Sequence, residues 1–197
     1  MKVNIFLNGE HFKGEISSAD FNIACDGAYV YCKKNNIKID AVLGDFDSLG
    51  YVPKDAIIYN KNKDFTDGEG AINYIKDKAK SIVFYNFGGN REDHFLGNLS
   101  LLVKCSNLNI NAKAITNFSE IYYVKDKIKI ENVLNKTISI VPFGESVHII
   151  KSRGLVYPAD DLTFSNDKTL GISNVAILNE VELLLDKGSA FIVVNRR

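Results

Sequence analysis

No tryptophan occurs among the 197 residues, and cysteine is limited to three. Cys25, Cys32 and Cys105 are odd in number and form no C-x-x-C pair, which excludes a disulfide framework and a cysteine zinc clip; they read as reduced, half-buried thiols of a cytoplasmic protein. Lys33 follows Cys32 and Lys104 precedes Cys105, but no further feature marks an activated thiolate, and a catalytic thiol is not expected. Net charge is also lacking: Lys+Arg and Asp+Glu each number 24. With no basic stripe, nucleic acid is not expected as a partner. No apolar run approaches the length of a membrane span, and the apolar part of Met1–Gly9 is too short for a signal sequence. There is no internal repeat, no low-complexity tract and no G-x-x-x-x-G-K-[ST] phosphate loop.

What is present begins with Ala41-Val42-Leu43-Gly44-Asp45-Phe46-Asp47-Ser48. The apolar run reads as a buried strand ended by a glycine turn. In an extended segment residues i and i+2 point the same way, so Asp45 and Asp47 converge while Phe46 turns inward. Converging carboxylates repel unless a cation or a shared proton relieves them. Oxygen ligands without nearby Cys or His favour Mg²⁺, held together with substrate phosphates. Asp26, Asp64, Asp67 and Asp93 each lie shortly beyond another apolar run, at 21–25, 56–59 and 81–85. If these strands are parallel, all the loops leave one edge of one sheet, where open α/β sheets bind ligands.

Up to about residue 117 strands alternate with helices. Strands are expected at 3–7, 21–25, 41–43, 56–59, 81–85 and 111–116, and a helix over 28–34. A second helix should be opened by the capping box Thr66-Asp67-Gly68-Glu69, burying Ala71, Ile72, Ile75 and Ala79. A third, started by Asp93, carries Leu96, Leu99, Leu102 and Val103 along one side. This pattern predicts βαβ units and a mainly parallel, Rossmann-like sheet. Beyond it, short strand-like runs separated by turns such as Asp186-Lys187-Gly188 predict an all-β sandwich or barrel. The expected fold is therefore α/β plus all-β, with domains over 1–119 and 120–197.

Gly88-Gly89 allows close backbone approach, and Arg91 offers a planar fork suited to phosphate. Asp67 suits the first turn of its helix, whose free N–H groups can receive phosphate oxygens, and Lys63 adds a cation. His94 reads as a structural helix-start residue; His11 and His148 have no supporting partners. The combination suits transfer of a phosphoryl-type group, in which metal and cations neutralise spreading charge.

The ordered set Asp26-Gly27, Gly44-Asp45-Phe46-Asp47-Ser48, Lys63-Asp64-Phe65-Thr66-Asp67, Gly88-Gly89-Asn90-Arg91-Glu92-Asp93-His94 with Asn98, and Gly171-Ile172-Ser173-Asn174 resembles the thiamine pyrophosphokinase family. That resemblance implies an N-terminal α/β domain, a C-terminal antiparallel β-sandwich and a homodimer. It implies transfer of pyrophosphate from ATP to the hydroxyl of thiamine, releasing AMP. It also implies Mg²⁺ on Asp45, Asp47 and Asp67, and ATP surrounded by Asp26, Gly27, Ser48, Lys63, Asp64, Thr66, Arg91, Asp93 and Asn98. Ser173 and Asn174 are expected to contact thiamine across the dimer. In this scheme Arg91 and Lys63 balance charge, and Asp93 or Asp67 accepts the hydroxyl proton. The chain departs from the family pattern at Asn90, at Gly68 and Gly70 inside a helix, at Val175, and in having no tryptophan to stack on thiamine. Alternatives are pyrophosphate transfer to another hydroxymethyl heterocycle of pterin type, a haloacid-dehalogenase-like phosphohydrolase, and a non-catalytic nucleotide-binding module.

Overall fold

Runs that are apolar on both faces become parallel strands when helices cover the sheet on either side. The computed structural model, which describes residues 1–89 and 91–196, follows this rule in the first of its two compact units, Met1–Asn117. Its strands are β1 (Lys2–Phe6), β2 (Phe21–Cys25), β3 (Ala41–Gly44), β4 (Ile57–Ile58), β5 (Ser81–Tyr85) and β6 (Asn111–Ile115). Its helices are α1 (Ala28–Lys34), α2 (Asp67–Ile75) and α3 (Glu92–Asn107). The strands lie in the order β4-β3-β2-β1-β5-β6, and every pairing is parallel. The chain builds outward from β1 to β4, then crosses to the other side of β1 for β5 and β6.

The structure differs from three local expectations. The strand expected at 56–59 shortens to two residues at an exposed edge, with Ile58 64% exposed. Thr66 caps α2 by accepting from Glu69 N at 3.3 Å, but the Glu69 carboxylate does not reach back: it pairs with Lys104 of α3 at 2.8 Å. On α3 the buried residues are Leu101, Leu102 and Cys105, whereas Leu96 is exposed, because the first turns of that helix border a cleft and only the later turns reach the core.

In the second unit, Phe118–Arg197, the regular elements among the described residues are all strands. β7 (Ser119–Val124), β9 (Thr137–Pro142), β12 (Asn174–Val175) and β14 (Ala190–Asn195) pair antiparallel in the order β12-β9-β14-β7. β8 (Lys127–Glu131), β10 (Val147–Arg153), β11 (Leu162–Phe164) and β13 (Glu180–Lys187) pair antiparallel in the order β11-β10-β13-β8. Alternate residues of both sheets, among them Ile138, Ile140 and Ile192 from the first and Ile149, Val181 and Leu183 from the second, form one apolar cluster. β11 was not expected from the sequence, since three residues between turn-forming aspartates give too short a pattern.

Candidate active site

Parallel pairing sends the segments after β1, β2, β3 and β5 out of the same edge of the sheet, and α2 begins beside them. Where the chain changes direction, between β1 and β5, the flanking loops are joined: Leu7 N donates to Tyr85 O at 3.0 Å and Glu10 N to Gly88 O at 2.7 Å. A cleft of about 660 Å³ opens there, lined from all five segments. That volume is within the range of ligand sites, roughly 300–1,000 Å³.

Three carboxylates meet in this cleft. Asp26, Asp45 and Asp47 each offer an oxygen, and the three oxygens lie within 4.8 Å of one another. Asp45 and Asp47 are turned the same way by Phe46, whose ring is buried (3% exposed) and whose backbone is left-handed at φ 58°. A bulky residue rarely adopts that conformation, and it persists only where its surroundings impose it. Asp26 is 6% exposed and also left-handed, at φ 47°. Its Oδ2 accepts from Ser48 Oγ at 2.6 Å and from Asn8 Nδ2 at 3.1 Å, while its buried Oδ1 has no hydrogen-bond partner. An orphaned carboxylate oxygen in an all-oxygen group fits a hard divalent cation such as Mg²⁺.

Lys63 joins a fourth carboxylate to this group. Its Nζ donates to Asp45 Oδ2 at 2.7 Å and lies 3.2 Å from Asp67 Oδ1, an ion-pair distance without hydrogen-bond alignment. The hydrogen bond from Lys63 is the main influence holding the Asp45 carboxyl below its usual range. Burial pushes Asp67 up despite the lysine. For Lys63 itself burial opposes the charge, but Asp45 and Asp67 outweigh it and the ammonium is held more firmly. The group whose oxygens lie within 4.8 Å of one another takes in Asp26 with Asp45 and Asp47, and Asp67 joins it through Lys63.

On the opposite wall the Gly88–Gly89 backbone packs against Gly9 and Glu10. A Cβ on Gly9 would lie 2.2 Å from Gly88 O, so neither loop could come this close with a side chain there. Arg91 precedes α3 and grips Asp93 with two hydrogen bonds, Nε to Oδ1 at 3.1 Å and Nη2 to Oδ2 at 2.6 Å. The arginine holds the Asp93 carboxyl down at about 2. Asn98 ties α3 to the glycine loop through Phe87 O at 2.8 Å. Asn90 lies outside the described residues.

Among the residues singled out from sequence, Asp26, Asp45, Asp47, Ser48, Lys63, Thr66, Asp67, Arg91, Asp93 and Asn98 all line this cleft, as does His94. Asp64 does not: it is exposed and outside the lining. Gly27 is outside it too, but abuts Asn8, where a Cβ would lie 2.4 Å from Asn8 Oδ1. Asn8, Gly9 and Glu10 line the cleft without having been expected. The available signal was an Asn-Gly pair directly after an apolar run, the same position that drew attention to the aspartates. In the second unit, Asn174 accepts from Tyr157 N at 3.1 Å and donates to Tyr157 O at 2.7 Å, while Ser173 is exposed and left-handed at φ 63°.

Residues 12–114 match the family profile described as thiamin pyrophosphokinase, catalytic domain, and residues 125–189 the one described as thiamin pyrophosphokinase, vitamin B1 binding domain. A thiamine pyrophosphokinase of Bacillus subtilis (strain 168) is 32% identical over 156 residues, covering 74% of this chain and 73% of that relative. The crystal structure of thiamine pyrophosphokinase from Bacillus subtilis superposes with a TM-score of 0.87 at 25% identity, covering 99% of each chain. A thiamin pyrophosphokinase from Geobacillus thermodenitrificans gives 0.83 at 21% identity over 100% of this chain and 98% of its own. With both of its segments matched and the same fold throughout, the chain belongs to the thiamin pyrophosphokinase family.

Proposed function

We propose that the cleft binds MgATP and that the chain transfers the terminal pyrophosphoryl group of ATP to the hydroxyl of thiamine, giving thiamine diphosphate and AMP. The observation that carries this reading is the meeting of Asp26, Asp45 and Asp47 at the edge of the parallel sheet, beside Lys63 and the glycine loop, in a chain of this family. The hydroxyl oxygen attacks the β-phosphorus in line, the bond from that phosphorus to the oxygen of the α-phosphate breaks, and AMP leaves with that oxygen. Asp26, Asp45 and Asp47 would hold Mg²⁺, with Asp67 a fourth candidate ligand joined to them through Lys63. When bound, Mg²⁺ neutralises polyphosphate charge and fixes the oxygens for displacement.

The chain's own cations do the rest. Lys63 is already among the carboxylates and can shift from them to a phosphate oxygen. Arg91 is oriented by Asp93, which leaves its remaining N–H groups for phosphate. Asp93 therefore acts by holding Arg91, and its double engagement disfavours it as the proton acceptor relative to Asp67. Thr66 and the first turn of α2 present backbone N–H groups to the nucleotide.

The first unit is, in this reading, a Rossmann-like nucleotide domain over 1–119, and the second a β-sandwich over 120–197 that supplies Ser173 and Asn174 to thiamine. Exposed Tyr157, Leu170, Ile172 and Ile177 surround those two residues in sequence or by hydrogen bonding, and support contact with an apolar ring or a second copy of the chain. We include the homodimer and a cytoplasmic location; three buried thiols suit a reducing compartment. No described helix is long and apolar enough to cross a membrane. Neither a pterin-type acceptor nor the hydrolase and non-catalytic alternatives are favoured by the family match. Mass spectrometry of the chain incubated with MgATP and thiamine tests the reading: AMP and thiamine diphosphate are expected, and ADP, free phosphate or no product would overturn it.

A further inference from the structure

Asn8 lies just after β1, outside the span that matches the family's catalytic profile. Its amide nitrogen donates to Asp26 Oδ2 at 3.1 Å and to Ser48 Oγ at 3.4 Å, and Ser48 Oγ donates to the same Asp26 Oδ2 at 2.6 Å. A carboxylate only accepts, so the NH₂ of Asn8 must face it. By engaging the Ser48 oxygen, the amide also leaves the hydroxyl proton directed at Asp26. Both donors thus fall on one carboxylate oxygen, and the other, Oδ1, is buried without a partner, in a carboxylate that has an oxygen within 4.8 Å of oxygens of Asp45 and Asp47. A carboxylate free to rotate about its last bond would present either oxygen; two donors on one side remove that symmetry.

The far end of the Asn8 amide explains Gly27. Gly27 has φ −57° and ψ −18°, a conformation open to any residue, so its backbone does not require glycine. What requires it is space, since a Cβ there would lie 2.4 Å from Asn8 Oδ1 and 2.8 Å from its Cγ. The geometry points to Asn8 as a positioning residue for the cation site: with Ser48 it fixes the orientation of the Asp26 carboxylate beside Asp45 and Asp47, and Gly27 is small so that the amide can sit there. This rests on the reading of Asp26 as a cation ligand.

Partners that orient a ligating group typically change metal affinity by roughly 10–100-fold when removed. The test is titration of the full, nucleotide-free chain with Mn²⁺ alone, following free Mn²⁺ by electron paramagnetic resonance. Asp26→Ala checks the underlying reading: unchanged Mn²⁺ affinity in that variant overturns the cation site itself, and with it any role for Asn8. If Asp26→Ala weakens binding, Asn8→Ala and the space-filling Asn8→Leu should each weaken it about tenfold. Gly27→Ala should weaken it too, but add nothing in the Asn8→Ala background, which loss of helix capping alone would not reproduce. Wild-type affinity in a natively folded Asn8→Ala protein, or an additive effect of Gly27→Ala, overturns the proposal. Failure of both Asn8 variants to fold, followed by circular dichroism, would make Asn8 a structural residue and overturn it equally.

Discussion

Phe46 shows how one side chain can organise a site it does not enter. Its ring is anchored in the core while its backbone is left-handed, and the two neighbouring carboxylates are thereby turned to the cleft. Phe46→Ala should cost about 3 kcal/mol or more in urea denaturation, as a buried aromatic is lost, and should weaken cation binding as Asp45 and Asp47 separate. Asp47 is exposed, so Asp47→Ala should fold normally by circular dichroism yet reduce AMP release by about a hundredfold or more. Near-normal turnover in the folded variant would remove Asp47 from the machinery. Asp93→Asn should raise the KM for ATP more than it lowers kcat, because Arg91 loses the partner that aims it. At this scale the approach of Asp45 and Asp47 was readable from their spacing but its cause was not, because the extended backbone expected there is replaced by the left-handed turn at Phe46. The sequence was not readable for Asn8, because an amide's role depends on Asp26 and Ser48 being brought beside it by pairing of β1, β2 and β3.

Elements carry the next set of consequences, beginning with α2. Its two internal glycines look like weaknesses, each costing about 1 kcal/mol in helix propensity relative to alanine. The packing gives the opposite answer. A Cβ on Gly68 would lie 2.9 Å from both Leu101 Cδ1 and Leu7 Cδ2, and one on Gly70 2.5 Å from the Tyr59 ring. Gly70→Ala should therefore lower the melting temperature, since overpacking costs about 1–3 kcal/mol and exceeds the propensity gain. In the second unit, His148 bridges β13 and the segment before β11 through Asp186 at 2.7 Å and Asp161 at 3.2 Å. Asp186 and then Asp161 raise its pKa above 6.5. A raised histidine stabilises the fold fully below its unfolded value and loses that contribution as pH climbs through the folded one. Denaturation at about pH 5.5 and about pH 8.5 should thus show greater stability at the lower pH from this group, and His148→Gln should shrink the difference. Strand positions were largely legible from apolar runs, whereas the shortening of β4 and the existence of β11 depend on neighbours that local pattern does not specify.

Across the whole molecule the thiols report on integrity. Cys25, Cys32 and Cys105 are buried at 2%, 0% and 0% exposure, and burial pushes Cys32 and Cys105 up to about 12. A thiol-specific disulfide reagent should therefore label them at the rate of unfolding. Cys25 borders the cleft, so MgATP should slow its labelling further; rapid reaction of all three in the native protein would contradict this burial. The alternation of strands and helices made the parallel sheet and its ligand-binding edge legible, because that inference needs only order along the chain. The strand order within each sheet of the second unit was not, since antiparallel runs of similar length fit several arrangements.

The position of β1 has a consequence for synthesis. β1 leaves the ribosome well before β5, at Ser81–Tyr85, which completes one of its flanks. Pairings so distant in sequence form slowly because a long loop must close first. A nascent chain halted before that point would hold the three aspartates of the cleft but not the glycine loop facing them. Termination between β4 and β5 should thus leave an aggregation-prone strand with an unprotected flank, a load for chaperones and not a partially active enzyme.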